Sequence, residues 1–333
     1  MAVTLAQSAL LSENDLQRGV LEIFVQEGVV LDRIPLLPVE GNAYAYNEEA
    51  TLPGVEFRAV NGSYTESTGT VNQKTETLVI LGGDADVDTF IQKTRGNLND
   101  QRAVQTHLKV KAATYKFQDA FINGDTAVDA NSFDGLKKRL TGGQVLSAAT
   151  NGLPVVGNGG TDIHAFLDFL DALIALVPGL SGDNGALYMN TQIRSKILAA
   201  LRRINIQVEA VGRLPQPLRQ SVSGATRVTQ GQLPTYNGIP MIDIGMQSDG
   251  STLILPQTET QGSSSVTSSI YAVRFGQDEA DQAVSGLSNG GVDVRDLGEQ
   301  QAKPAFRTRI EFFCGLGVFG GKAAARGKGV LNS

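Results

Sequence analysis

Apolar and polar residues change their spacing several times along the chain, and each change marks an element. Leu16, Val20, Ile23 and Phe24 recur at helical intervals and predict a short helix within Glu13 to Glu27. Ile34-Pro35-Leu36-Leu37-Pro38 then forces an extended path, because each proline fixes φ and disfavours helix in the residue before it. From 43 to 81 the pattern is that of one long hairpin. Tyr44 and Tyr46 alternate with alanine, the return leg is Thr70 to Leu81, and Pro53-Gly54, Asn61-Gly62 and Gly69 punctuate a polar tip. Such an excursion is too long and too polar to fold on a core of its own, and long ordered loops usually bind something.

Asn99 to Ile122 carries the clearest helical pattern. Val104, Leu108, Ala112 and Tyr115 form one apolar row, and Val110, Ala113, Phe117 and Phe121 form another. Asn123-Gly124-Asp125 ends it, giving a rod about 36 Å long that can serve as the subunit's spine. Gly142 to Gly160 is glycine-rich and reads as a boundary. Beyond it, Thr161 is the predicted N-cap of a helix through Ile163, Phe166, Leu167, Leu170, Leu173, Ile174 and Val177, stopped by Pro178-Gly179. Ala186 to Met189 is a short strand. Asn190 or Thr191 caps a further helix with Ile193, Ile197, Leu201 and Ile204 on one face.

From Val208 the texture turns to β. Arg227 to Thr229, Ile239 to Ile244, Leu253 to Leu255, Ser269 to Phe275 and a long final strand, Phe306 to Val318, are predicted. Lys322 to Ser333 reads as a basic, small-residue tail. The fold class is α+β.

The 333 residues are 41% hydrophobic and 19% charged, enough for one large or two medium cores. The single cysteine, Cys314, excludes a disulfide within the chain and a multi-cysteine metal site; its apolar surroundings predict a buried thiol. No stretch approaches the ~20 apolar residues of a membrane span, and Met1 to Gln17 lacks a signal-peptide pattern. A soluble protein made in a cytoplasm is expected. Net charge is -6 but uneven: residues 1–99 carry 6 basic and 14 acidic side chains, 100–150 carry 7 and 5, 151–299 carry 9 and 14, and 300–333 carry 6 and 1. No segment has the dense basic stripe of a dedicated nucleic-acid binder.

The motifs that suggest chemistry are incomplete. Gly286-Leu287-Ser288-Asn289-Gly290 has the spacing of a nucleophile elbow, which makes a serine hydrolase using Ser288 the remote alternative. An elbow needs a strand before it, a helix after it and a downstream histidine, yet both histidines, His107 and His164, lie upstream. Gly315 to Gly320 matches G-x-G-x-x-G, but no acidic residue follows it. Asp84, Asp86 and Asp88 open like a calcium loop, but Thr89 stands at the glycine position and Arg95 at the twelfth; a solvated turn is expected. Lys137-Lys138-Arg139 reads as a solvated helix face. No catalytic residue, cofactor site or metal site is assigned.

Phe121-Ile122-Asn123-Gly124-Asp125 followed by Phe133-Asp134-Gly135-Leu136, then Ala186-Leu187-Tyr188-Met189-Asn190 before a helix, then Tyr236-Asn237-Gly238-Ile239-Pro240-Met241, resemble in order and spacing the major capsid proteins of tailed double-stranded DNA phages, the Hong Kong ninety-seven type. The resemblance spans nearly the whole chain. It implies an N-terminal arm (1–40), an extended loop (41–82), a peripheral domain with the spine helix (83–150 and 300–333) and an axial domain (151–299). It implies self-assembly into pentamers and hexamers of an icosahedral shell in the virion, with portal, separate scaffolding or decoration proteins and packaged double-stranded DNA as partners, and no membrane. An encapsulin, a bacterial compartment shell of the same fold, is the alternative. The type member of the family joins a loop lysine to a neighbour's asparagine with the help of a glutamate. Here Lys74 is the only lysine before Lys93 and lies on the return leg, so no cross-link is expected. In that arrangement the acidic loop of one subunit lies over the basic peripheral domain of the next. Glu48, Glu49, Glu56 and Glu66 are the loop candidates for the contact, with Lys109, Lys111, Lys116, Arg307 and Arg309 as partners.

Overall fold

The computed structural model describes residues 28–90, 101–157, 159–204, 210–211 and 233–333. The helix predicted within Glu13 to Glu27 and the strand at Arg227 to Thr229 lie outside these residues. In chain order the elements are β1 (Leu36–Pro38), β2 (Ala43–Thr51), β3 (Thr70–Thr77), β4 (Val79–Asp88), α1 (Gln101–Asn123), α2 (Leu136–Arg139), β5 (Val145–Ser147), β6 (Leu153–Pro154), α3 (Gly160–Ala175), β7 (Gly185–Met189), α4 (Thr191–Arg203), β8 (Ala210–Val211), β9 (Leu233–Tyr236), β10 (Ile239–Asp243), β11 (Glu259–Gln261), β12 (Ser264–Arg274), β13 (Val284–Glu299), β14 (Ala305–Val318) and β15 (Ala324–Leu331).

The described residues form three sheets. One has the order β1-β13-β14-β4. A nine-stranded sheet runs β5-β15-β12-β7-β10-β9-β8, with β11 on β12 and β6 on β15. β2 and β3 form a separate hairpin. The spine helix α1 lies on the four-stranded sheet. Its Val110 and Phe117 pack with Val292, Val294, Ile310, Phe312 and Cys314, because alternate residues of a strand share a face. The Phe117 and Phe312 rings are 6.1 Å apart.

The nine-stranded sheet separates two core regions by the same alternation. Leu187, Met189, Met241, Ile270 and Ala272 meet α3 and α4 on one face. Tyr188, Ile242, Tyr271 and Val273 point the other way, toward the C-terminal end of α1, where Phe121 meets the Tyr188 ring edge-on at 6.1 Å. Every residue of β7 is buried, as expected of a central strand covered on both sides. The α4 N-cap is Asn190: its side-chain oxygen accepts from Ile193 N at 2.8 Å while its amide donates to Leu255 O at 3.1 Å.

Several expectations are corrected. The basic tail is strand β15, paired with β12 on one side and β5 on the other. Its small residues are required by packing, since a Cβ on Gly327 would stand 2.8 Å from Cζ of Phe169 and 3.1 Å from Cδ2 of Leu173. The glycine-rich stretch at 142–160, read as a boundary, contributes β5 and β6 to the nine-stranded sheet. Residues 284–299, expected with the axial region, pair along their length with β14 in the four-stranded sheet, whereas 324–331 join the nine-stranded one. The N-cap of α3 is Gly159, not Thr161. Asp84 and Asp86 sit on strand β4, not on a solvated turn.

Candidate functional site

The extended hairpin leaves the body at its base and carries no core beyond it. β2 and β3 pair from Ala43↔Thr77 to Thr51↔Thr70. The base is fixed by Tyr46, which is buried among Val39, Leu287 and Phe319. Its ring meets Phe319 edge-on at 4.9 Å, and its hydroxyl donates to Val318 O at 3.2 Å. Burial, and next the nearby Glu76 carboxylate, push the Tyr46 hydroxyl up to about 12. Glu76 of β3 is held by both terminal nitrogens of Arg139, which ties the hairpin to the segment after α1.

Beyond that anchor the apolar side chains face outward. Leu52 is 77%, Val55 94% and Phe57 108% exposed. The tip was expected to be merely polar; these residues stand one at a time between polar neighbours, so no periodicity marks them. Internal bonds hold the tip in shape: Thr65 N donates to Glu56 at 2.5 Å, Ser67 Oγ to Gly54 O at 2.9 Å, and Arg58 to Gly62 O at 3.2 Å while its guanidinium lies over the Tyr64 ring.

The predicted contact residues do not form one patch. Glu48 pairs with Lys74 across the hairpin. Glu49 and Glu66 are exposed. Arg307 and Arg309 lie on the face of the four-stranded sheet turned away from α1, and strand register sets each opposite an aspartate. Arg309 holds Asp84 through two bonds, and Arg307 holds Asp86 likewise at 2.7 and 2.8 Å. Lys303 also pairs with Asp86, and Arg295 joins Asp293 and Glu311. The bond from Arg309 keeps the Asp84 carboxyl below its ordinary range, and bonds from Arg307 and Lys303 do so for Asp86. The three lysines belong to α1, on the other side of the sheet: Lys109 lies against Gly83, Lys111 is 5.6 Å from the Tyr115 ring centroid, and Lys116 is exposed.

The residues weighed for chemistry are placed just as plainly. Ser288 is buried inside strand β13, its hydroxyl accepting from Gly291 N at 3.3 Å, so the strand-to-helix turn of a nucleophile elbow is absent there. Gly286 is in β13 because Leu36 lies over it; a Cβ there would come within 2.5 Å of that side chain. His107 and His164 are exposed on α1 and α3. Lys138 pairs with Asp125 and Asp134, so the basic triplet is not an open phosphate patch. Burial pushes the Cys314 thiol up to about 12. Among the described residues no acidic, histidine and cysteine side chains cluster to hold a metal, and no helix is long and apolar enough to cross a membrane.

A family model described as Major capsid protein GP7 matches residues 13–166, which include the hairpin and α1. No curated protein matches the chain. Solved structures share its fold over most of both chains. The holo-SrpI encapsulin complex from Synechococcus elongatus PCC 7942 superposes with a TM-score of 0.61 at 19% identity, covering 90% of this chain and 86% of that one. The capsid of a native GTA particle gives 0.59 at 15% identity, covering 91% and 90%. Mycobacterium phage Bobi gives 0.56 at 13% identity, covering 90% and 89%. At these identities the likenesses establish the fold, which encapsulins share, while the family model over residues 13–166 is that of a major capsid protein. The chain has the Hong Kong ninety-seven capsid fold, and the part of it that includes the hairpin and α1 matches the major capsid protein model.

Proposed function

We propose that this subunit assembles into pentamers and hexamers that together enclose double-stranded DNA, with the hairpin of each copy laid on a neighbour. The observation that carries the proposal is Phe57, a fully exposed phenyl on a tip with a defined internal structure. A lone subunit gains nothing by holding that side chain in water, whereas a neighbour that covers it removes apolar area from solvent. The α1-bearing four-stranded sheet acts as the peripheral domain and the nine-stranded sheet as the axial one. Glu49, Glu66 and Lys116 are the charged candidates with open sides for the contact. Glu48, Arg307 and Arg309 already hold partners within the subunit.

DNA is enclosed without being gripped. Net charge is -6, and phosphate binding needs clustered basic side chains. Portal, scaffolding and decoration proteins are the further partners this reading implies. Electron microscopy of the purified protein is the direct test: isometric shells support the assignment, and a compact 35.2 kDa monomer at every concentration and salt overturns it.

A further inference from the structure

The surface holds a knob and, elsewhere, a hole of matching size. The knob is Phe57, flanked by Glu56 and Arg58. Because the tip is braced by its own hydrogen bonds, little conformational freedom remains to be lost when it docks.

The hole is an open cavity of about 140 Å³ between β4, α1 and the turn at 129–133. Phe117, Phe133 and Cys314 form its floor, and all three are buried. Ile80, Lys116 and Asp129 stand at its rim, with Ile80 68% exposed. An apolar cavity of about 150 Å³ accepts a benzene ring, so the size suits one phenyl group. The rim charges complement the knob's neighbours, Lys116 facing an acid such as Glu56 and Asp129 a base such as Arg58.

The knob cannot fill its own hole. β3 ends at Thr77, beside Val79 of the cavity wall, and its eight paired residues hold the tip about 26 Å away. We infer that Phe57 of one subunit seats in the Phe117–Phe133–Cys314 cavity of the next. Knob and hole lie on different parts of the subunit, so one copy can offer its knob to a neighbour while its own hole receives the knob of a third. This rests on the reading that the chain assembles with copies of itself.

The test places photoreactive benzoyl-phenylalanine at position 57 of the full chain, irradiates assembled particles and maps the adducts by mass spectrometry. Adducts to 79–81, 116–120 or 129–133 of another copy are expected. Particles whose adducts lie elsewhere, or on a different protein, overturn the inference and leave the shell reading intact; absence of any assembly defeats both. Phe57→Ala and Phe57→Leu provide a second readout. The alanine variant should lower particle yield on the order of tenfold near the assembly threshold. The leucine variant should retain most of the yield, and both should leave the subunit's melting temperature unchanged. Should the photoreactive side chain itself block assembly, these two variants decide, and wild-type yield from Phe57→Ala overturns the inference.

Discussion

Arg309 and Asp84 face each other across β14 and β4 and share two parallel hydrogen bonds, Nε to Oδ1 at 2.8 Å and Nη2 to Oδ2 at 3.0 Å. Two registers away Arg307 and Asp86 repeat the arrangement. Two arginines read from the sequence as partners for a neighbour's loop glutamates thus already hold aspartates within their own sheet.

Reversing Arg307 and Arg309 to glutamate should accordingly weaken the subunit itself. Like charges would then stand opposite each other on neighbouring strands, which is destabilising. The melting temperature of the Arg307→Glu, Arg309→Glu variant should fall, and adding Asp84→Arg and Asp86→Arg should recover most of the loss. Thermal unfolding of unassembled subunits measures both. An unchanged melting temperature in the first variant would show that the ribbon contributes nothing to the fold.

The same pairs give a pH dependence whose sign can be worked out. Asp84 and Asp86 have pKa values lowered in the folded state. Such a group adds stability above its unfolded pKa, and this is lost as the pH falls through the folded value. The window therefore lies below about pH 4. Both carboxylates face solvent, which keeps the effect small. Wild type should exceed Asp84→Asn, Asp86→Asn in stability at neutral pH, and the two should converge in acid. A gap that widens on acidification would contradict the assignment.

A side chain at Gly327 should be costly. Phe169 and Leu173 press on the strand there, and overpacking of this kind costs about 1–3 kcal/mol. Gly327→Val should lower the denaturant midpoint of the subunit accordingly, and Phe169→Ala in the same chain should relieve part of the strain.

Lys74 should form no covalent bond between subunits. Its ammonium group pairs with Glu48 across the hairpin, well back from the tip. Purified particles should run on a denaturing gel as a single 35.2 kDa band. A ladder that disappears in Lys74→Ala would refute this.

The sequence makes some of this molecule plain and hides the rest for identifiable reasons. The α1 helix was readable because two apolar rows run through it, and the buried row, with Val110, Phe117 and Phe121, is the one that meets the sheets. β15 was hidden because its residues are chosen for closeness to Phe169 rather than for bulk, so the strand resembles a flexible tail. β13 was hidden because Gly286, Ser288 and Asn289 are turn formers, and only the Leu36 side chain above Gly286 explains the glycine. Asp84 and Asp86 looked like loop residues until strand register supplied an arginine for each. At the candidate site the long hairpin was legible, but the apolar knob on its tip was not. One exposed phenylalanine leaves no pattern, and the cavity exists only once β4, α1 and the 129–133 turn have come together.

β14 and β15 occupy interior positions: β14 runs between β13 and β4, and β15 between β5 and β12. Residues 305–331 thus supply a middle strand to each large sheet. During translation neither sheet can close until this segment has left the ribosome, and β5 and β6 must wait for a partner encoded almost two hundred codons later. A nascent chain halted before residue 305 would hold a hairpin ready to dock on a body that does not yet exist. The order of synthesis therefore makes the completion of both large sheets wait for residues 305–331.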